Sequence, residues 1–233
     1  MALAHSPRIV SDGLILAIDA GNTKSYPGSG TAWTDLSGNS NNGTLTNGPT
    51  YSSTDGGSIV FDGTNDYVQT SYTTQLNDFT ICSWFKSNSS GSWARIADKD
   101  YDTGFWFGRD GSSANSWGGG VKTGSNFNYI TLSNNQWHFL VMARTGTSLT
   151  VYGDGITNTN TTTCGSGSID ATALSLGGTI NDSEGTQRDW FTGNIAQVSI
   201  YNKALTASEV AQNYNALKGS IIERHKRLRL NTI

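Results

Sequence analysis

Phe191-Thr-Gly-Asn-Ile-Ala-Gln-Val-Ser-Ile-Tyr201, running on through Asn202-Lys-Ala-Leu-Thr-Ala-Ser-Glu209, decides how the rest of the chain is read. The first half is a strand pattern, rich in β-branched and aromatic residues. The second half announces a helix. Thr206-Ala-Ser-Glu209 is a capping box with Thr206 as N-cap, and Leu205 with Val210 forms the matching hydrophobic staple. Val210, Tyr214 and Leu217 then fall on one helical face, and Gly219 stands where a C′ glycine belongs. The expectation is one short helix of about three turns packed on a β domain.

Outward from this block the chain is strand after strand. Leu14 to Ile18 is a continuous apolar run suited to a sandwich interior. Ser58 to Asp62 and Asp66 to Gln69 flank a Gly-Thr-Asn turn, and Phe79 to Lys86 alternates Phe79, Ile81, Ser83, Phe85 against Thr80, Cys82, Trp84, Lys86. Gly104-Phe-Trp-Phe-Gly108 is an aromatic strand. Gln136 to Arg144 meets Ser148 to Tyr152 through Thr145-Gly-Thr147, a hairpin signature. Turn signals every 8–12 residues or so mark a sandwich or jelly roll. Residues 21–57 read instead as a long Gly/Asn/Ser-rich loop, which Trp33, Leu36, Leu45 and Tyr51 are expected to pin.

Composition agrees. Nearly half of the 233 residues are Gly, Ser, Thr or Asn, charged residues make up 14%, and Glu occurs only at 184, 209 and 223. Mostly helical architectures are excluded. Residues 1–217 carry a formal charge of −7 and residues 218–233 one of +4. The main domain is therefore a poor phosphate-backbone binder. Cys82 lies in a strand-like run as a small buried apolar residue, and a single bridge to Cys164 stays open. No stretch is apolar enough for a membrane helix, and no secretory signal is visible at the N-terminus.

The order of segments carries a resemblance. Trp33-Thr-Asp-Leu-Ser-Gly38, Asn41-Asn-Gly-Thr-Leu45, Val60 to Val68, Phe79 to Lys86, Trp137-His-Phe139, Leu149 to Asp154 and Phe191 to Leu205 together resemble the laminin-G-like, concanavalin A-like lectin/glucanase superfamily. That resemblance implies an all-β, two-sheet antiparallel jelly-roll sandwich over residues 13–217. A short C-terminal helix and extended terminal arms, residues 1–12 and 218–233, complete the expected layout. The opening Gly13 to Asn22 with Ser25-Tyr-Pro-Gly28 resembles versions encoded by tailed phages, especially cyanophages.

Chemistry is sought and a non-enzyme is expected. The family's glucanases use Glu-x-Asp-x-x-Glu, and no such run exists here. His5, His138 and His225 are scattered and no Gly-x-Ser-x-Gly elbow accompanies them, so neither nucleophilic catalysis nor a zinc site is expected. Calcium is the one metal kept in view. Asp98-Lys-Asp100-Tyr-Asp102 has carboxylates at i, i+2 and i+4, and Asp62-Gly-Thr-Asn65-Asp66 is a second candidate. Both also read as polar turns whose Asp and Asn bond their own backbone.

Trp93, Tyr101, Trp117, Phe127 and Tyr129 lie in loop-like surroundings, unlike Trp84, Trp106 and Trp137 in strands. They are the carbohydrate-binding candidates, since sugars offer flat apolar faces edged with hydroxyls. Loop anchoring or a protein contact is the competing reading. The tail, with Arg224, Lys226, Arg227, Leu228, Arg229 and Leu230, is basic and β-prone, and is expected to dock on a neighbouring subunit's edge strand. Nucleic acid is its runner-up partner. The expectation taken forward is a non-enzymatic surface protein of a tailed-phage virion, homo-oligomeric on the particle and without resident cofactor. It would be assembled in the host cytoplasm, released by lysis, and anchored through residues 1–12 and 218–233. Capsid decoration is preferred to a tail fibre because no heptads or fibre repeats appear. A free, Ca²⁺-using lectin is the alternative.

Overall fold

Sixteen strands among the described residues are shared between two antiparallel sheets that face each other. The computed structural model describes residues 8–88, 93–100, 103–111, 115–121, 127–165, 167–169, 172–180, 187–219 and 221. In chain order the strands begin with β1 (Leu14–Asp19), β2 (Ala32–Trp33), β3 (Gly43–Thr46), β4 (Thr50–Ser52) and β5 (Ser58–Asp62). They continue with β6 (Tyr67–Thr70), β7 (Phe79–Ser87), β8 (Ala94–Lys99), β9 (Phe105–Arg109), β10 (Ser116–Val121) and β11 (Phe127–Thr131). The set closes with β12 (His138–Thr145), β13 (Ser148–Gly153), β14 (Asn158–Thr163), β15 (Ser175–Leu176), β16 (Thr192–Tyr201) and the helix α1 (Ala207–Lys218). The first sheet runs β14-β13-β12-β7-β16-β5-β4, with β1 also on β16, and the second runs β11-β10-β9-β8-β15-β6-β3-β2.

The expected alternation in β7 sorts its two faces. Phe79, Ile81 and Phe85 enter the core between the sheets, while Cys82 and Trp84 belong to a second core on the far side of the first sheet. The helix covers that far side. Val210 and Leu205 are buried there, and Tyr214 stacks on Trp84 with ring centroids 5.5 Å apart. The capping box forms, with the Glu209 N–H donating to Thr206 Oγ1 at 3.3 Å and the Thr206 N–H to Glu209 Oε2 at 2.8 Å. The C-terminal expectation needs correcting: Gly219 keeps right-handed angles (φ −64°, ψ −33°). The chain thereby continues past the helix and brings Ile221 into the same apolar cluster.

Residues 8–12, expected as part of an arm reaching the virion or a sister subunit, lie on the domain itself. Val10 is buried, its N–H donates to Asn213 Oδ1 at 2.8 Å, and its carbonyl accepts from the Tyr201 hydroxyl at 3.1 Å. Within 21–57, expected as one pinned loop, the chain makes β2, β3 and β4. Trp33 and Leu45 are buried as anchors, but Leu36 is 40% exposed. The pin at that point is polar: buried Asp35 accepts from the N–H groups of Ala17, Ser37 and Asn41. Cys82 and Cys164 are free thiols on opposite sides of the first sheet, so no bridge joins them.

One open side of the sandwich is zipped by amides. Asn128 Nδ2 donates to the carbonyls of Leu149 and Asn160, Asn158 Nδ2 to Thr131, and Asn160 Nδ2 to Tyr129. These bonds tie β13 and β14 of the first sheet to β11 of the second and occupy two strand edges that would otherwise invite pairing with another chain. No helix among the described residues is long and apolar enough to cross a membrane.

Candidate functional site

The outer face of the second sheet carries the site. Phe105 and Phe107 of β9 point into the core, so Trp106 between them must point out. In the register of β9, β10 and β11, Trp106, Gly120 and Phe127 form one cross-strand row, and Gly108, Gly118 and Tyr129 the next. Gly120 leaves room for a ring to lie on the sheet, whereas a Cβ at Gly108 or Gly118 would strike the backbone of the neighbouring strand. A Cβ at Gly120 would come within 2.3 Å of the Phe127 ring and 3.1 Å of Trp106 Nε1. Trp106 is thus covered, at 1% exposure, and serves as the floor of an aromatic cluster.

Three of the five expected aromatics meet there. Ring centroids of Phe127, Tyr129 and Trp93 lie 5.3, 5.7 and 5.8 Å from that of Trp106. Trp93 and Phe127 keep 39% and 40% of their surface exposed. Trp117 does not belong: alternation in β10 turns it inward, 4.5 Å from Phe85 in the core. Tyr101 lies outside the described residues. Trp106, read from the sequence as a strand residue apart from the site, is its centre; the signal was the flanking Gly104 and Gly108 together with the Gly118-Gly-Gly120 run.

A buried charged group braces the cluster. The Arg95 guanidinium sits 4.4 Å from the Trp106 ring centroid and 5.3 Å from that of Trp93. It donates to Asp189 Oδ2 at 2.7 Å and lies 3.7 Å from Asp98 Oδ2. A β-bulge between Arg95 and Ala97 puts Arg95 and Asp98 on the same outward face, which strict alternation would not. Burial pushes the Asp98 carboxyl up to about 7, against the pull of Arg95 and a hydrogen bond from Thr179.

The calcium candidates are placed as follows. Asp98 is committed to Arg95 and Thr179, Asp100 accepts from Thr103 Oγ1 at 2.9 Å, and Asp102 lies outside the described residues. In the other segment Asp66 Oδ2 accepts from the Asp62 N–H, Asp62 Oδ1 from the Thr64 N–H, and the Asn65 carbonyl from Asn47. These are the bonds of a polar turn. Among the described residues no three His, Cys, Asp or Glu side chains converge as a metal site would require. The tail candidates Arg224, Lys226, Arg227, Leu228, Arg229 and Leu230 lie outside the described residues.

A grouping that sequence spacing hid is His138, whose Nδ1 is 2.8 Å from Asp154 Oδ2 and whose Nε2 is 3.1 Å from Ser133 Oγ and 3.0 Å from the Ser133 carbonyl. Asp154 also accepts the Phe139 N–H at 3.0 Å. The ring nitrogens thus tie the entry of β12 to the turn after β13.

A family model described as the concanavalin A-like lectin/glucanases superfamily matches residues 62–211. A sequence search among curated proteins gives no match. Among solved structures, domain 4 of an extracellular arabinanase from Geobacillus stearothermophilus, in complex with arabinotriose, is similar at a TM-score of 0.62 and 19% identity, covering 86% of this chain and 98% of that one. The binding domain of botulinum neurotoxin DC in complex with SialylT is similar at 0.67 and 13%, covering 89% of this chain and 52% of that one. The binding domain of paraclostridial mosquitocidal protein 1 gives 0.65 and 16%, covering 88% and 52%. The chain thus spans about half the length of the two toxin fragments. At these identities the likeness is one of fold.

Proposed function

The chain belongs to the concanavalin A-like lectin/glucanases superfamily, and on that premise we propose that it is a non-catalytic carbohydrate-recognition protein. The observation that carries the reading is the convergence of Trp93, Phe127 and Tyr129 over Trp106 on an outward sheet face. Exposed rings offer a platform for the apolar face of a sugar, and large exposed aromatics on a sheet are costly unless something covers them. Similar folds solved in complex with arabinotriose and with SialylT support the reading by analogy of fold.

The carrier proposed is a tailed-phage particle, with this protein on the capsid surface. That rests on the phage-like opening of the sequence and on its low-charge, Gly/Thr/Asn-rich makeup. In this reading residues 222–233 dock on another virion protein or a sister subunit. The test is glycan-array binding by the purified full chain and by Trp93→Ala, beside the copy number of the chain in purified particles by quantitative mass spectrometry. Binding that falls at least tenfold in Trp93→Ala supports the platform. An unchanged array profile overturns it. Hundreds of copies per particle support decoration, and absence from particles overturns the virion setting while leaving the recognition reading standing. Loss of glycan binding in a chelator would favour the free, Ca²⁺-using lectin.

A further inference from the structure

The chain holds two Asn-Gly pairs, Asn42-Gly43 and Asn47-Gly48. An asparagine followed by glycine can react with its own backbone. The glycine's peptide nitrogen, having given its proton to water or hydroxide, bonds to the asparagine Cγ. The Cγ–Nδ2 bond then breaks, and the amide nitrogen takes up a proton and leaves as ammonia. Water opens the cyclic imide that remains to aspartate or isoaspartate, so no other reactant is needed. Glycine favours ring closure because it has no side chain to crowd the approach and its backbone turns freely. The fold decides which of the two pairs can react.

Both asparagines are exposed, so exposure does not separate them. Gly43, however, is buried in β3, between Trp33 of β2 and Thr70 of β6. Its nitrogen is held inside the sheet. Asn42 is held as well, its Oδ1 accepting the Asp35 N–H at 2.9 Å and its carbonyl the Ser71 N–H at 3.0 Å. Ring closure there requires that part of the sheet to open first. Asn47 and Gly48 lie instead in the exposed connection from β3 to β4, with positive φ angles of 67° and 112°. The Gly48 N–H has no hydrogen-bond partner among the described residues. Asn47 is restrained by one exposed bond, from its Nδ2 to the Asn65 carbonyl at 3.1 Å. That bond ties the connection to the turn between β5 and β6.

The product cannot keep that tie. A carboxylate oxygen in place of Nδ2 has no proton to give, and it faces a carbonyl. Asp66 Oδ1 lies 3.8 Å from the place a Cβ on Gly48 would occupy, so the new negative charge also enters near an existing carboxyl. We propose that Asn47 is a site of spontaneous deamidation, spared at Asn42, and that its conversion releases the β3–β4 connection from the β5–β6 turn. The experiment incubates the full chain at pH 8, native and in denaturing urea, and follows both asparagines by peptide mapping with mass spectrometry. In the native chain Asn47 should convert at least about tenfold faster than Asn42, and in urea the two rates should come within about threefold of each other, because both pairs are then equally open. Asn47→Asp carries the product's charge from the start and should unfold at a lower urea concentration than wild type at pH 8. Native rates that are equal at the two positions, faster conversion at Asn42, or an unchanged urea midpoint in Asn47→Asp would each overturn the proposal.

Discussion

Replacing Asn213 by Ala tests whether the N-terminal segment is part of the fold. Asn213 is 1% exposed; its Oδ1 accepts the Val10 N–H at 2.8 Å and its Nδ2 donates to the Tyr201 hydroxyl at 3.0 Å. The Tyr201 hydroxyl still donates to the Val10 carbonyl after the substitution, so its loss is small. The Val10 N–H, in contrast, is left buried and unpaired, at about 1–3 kcal/mol. With the void left by the amide, the cost comes to roughly 2–4 kcal/mol. For a domain of this size that corresponds to a fall in Tm of roughly 4–16 °C. The assay is urea and thermal unfolding of Asn213→Ala in two backgrounds, the full chain and a chain lacking residues 1–12. Without Val10 there is no N–H to strand, so the cost of the substitution should shrink by about 1–3 kcal/mol. An equal cost in both backgrounds, or a full-chain cost under about 0.5 kcal/mol, would refute the claim that Asn213 holds this segment to the domain.

Three further outcomes are expected. Asp98, held up to about 7 by burial, keeps in the native state a proton that the unfolded chain releases near pH 4, so its contribution to stability falls as pH rises from about 4 to 7. Asp98→Asn should therefore gain stability relative to wild type over that window, measured by urea midpoints at pH 4, 6 and 8; a difference independent of pH would contradict the placement of that carboxyl. Thr206→Ala removes the acceptor of the Glu209 N–H and should cost about 1 kcal/mol, a fall of roughly 2–4 °C in Tm by calorimetry. Burial pushes the Cys82 thiol up to about 12, so neither it nor buried Cys164 should react with a thiol reagent at pH 8 until the chain unfolds; rapid labelling of the native protein would place a thiol at the surface.

Much of the scaffold was legible because its signals are local. The alternation of β7 and the capping box with its staple are short-range patterns, and tertiary packing reinforced them. What was not legible depends on pairs far apart in sequence. Val10 meets Asn213 across 203 residues, and the Asn amides that zip β11 to β14 bond carbonyls more than 20 positions away. Leu36 was read as an anchor by apolarity, whereas the loop is held by the buried carboxylate of Asp35, whose neighbour is free to face water. The site failed in one instructive way. Loop-like composition around Trp117 and strand-like composition around Trp106 suggested opposite roles from the ones they have, because facing is fixed by parity within a strand, and Gly-rich surroundings do not mark a loop when the glycines sit in paired strands and one of them, Gly120, lies under a ring.

That parity argument also bears on where recognition can occur. The first sheet spends much of its outer face on Trp84, Phe139, Val141 and Tyr201, and then closes it with α1, Val10 and Ile221. A ligand reaching that patch would have to displace a packed helix, at the cost of several buried apolar side chains worth about 1.5–3 kcal/mol each. The second sheet has a different solution. Gly108, Gly118 and Gly120 remove side chains from its outer face, the Phe127 and Trp106 rings fill the space at Gly120, and Trp93 and Phe127 remain substantially exposed. Arg95, locked by Asp189 beneath Trp93 and Trp106, fixes those rings without presenting its charge to solvent. Rigid, partly exposed aromatics on a strand scaffold lose little conformational entropy when a ligand settles on them, which is why the outer face of the second sheet, rather than the helix side, is the place to look for a bound glycan.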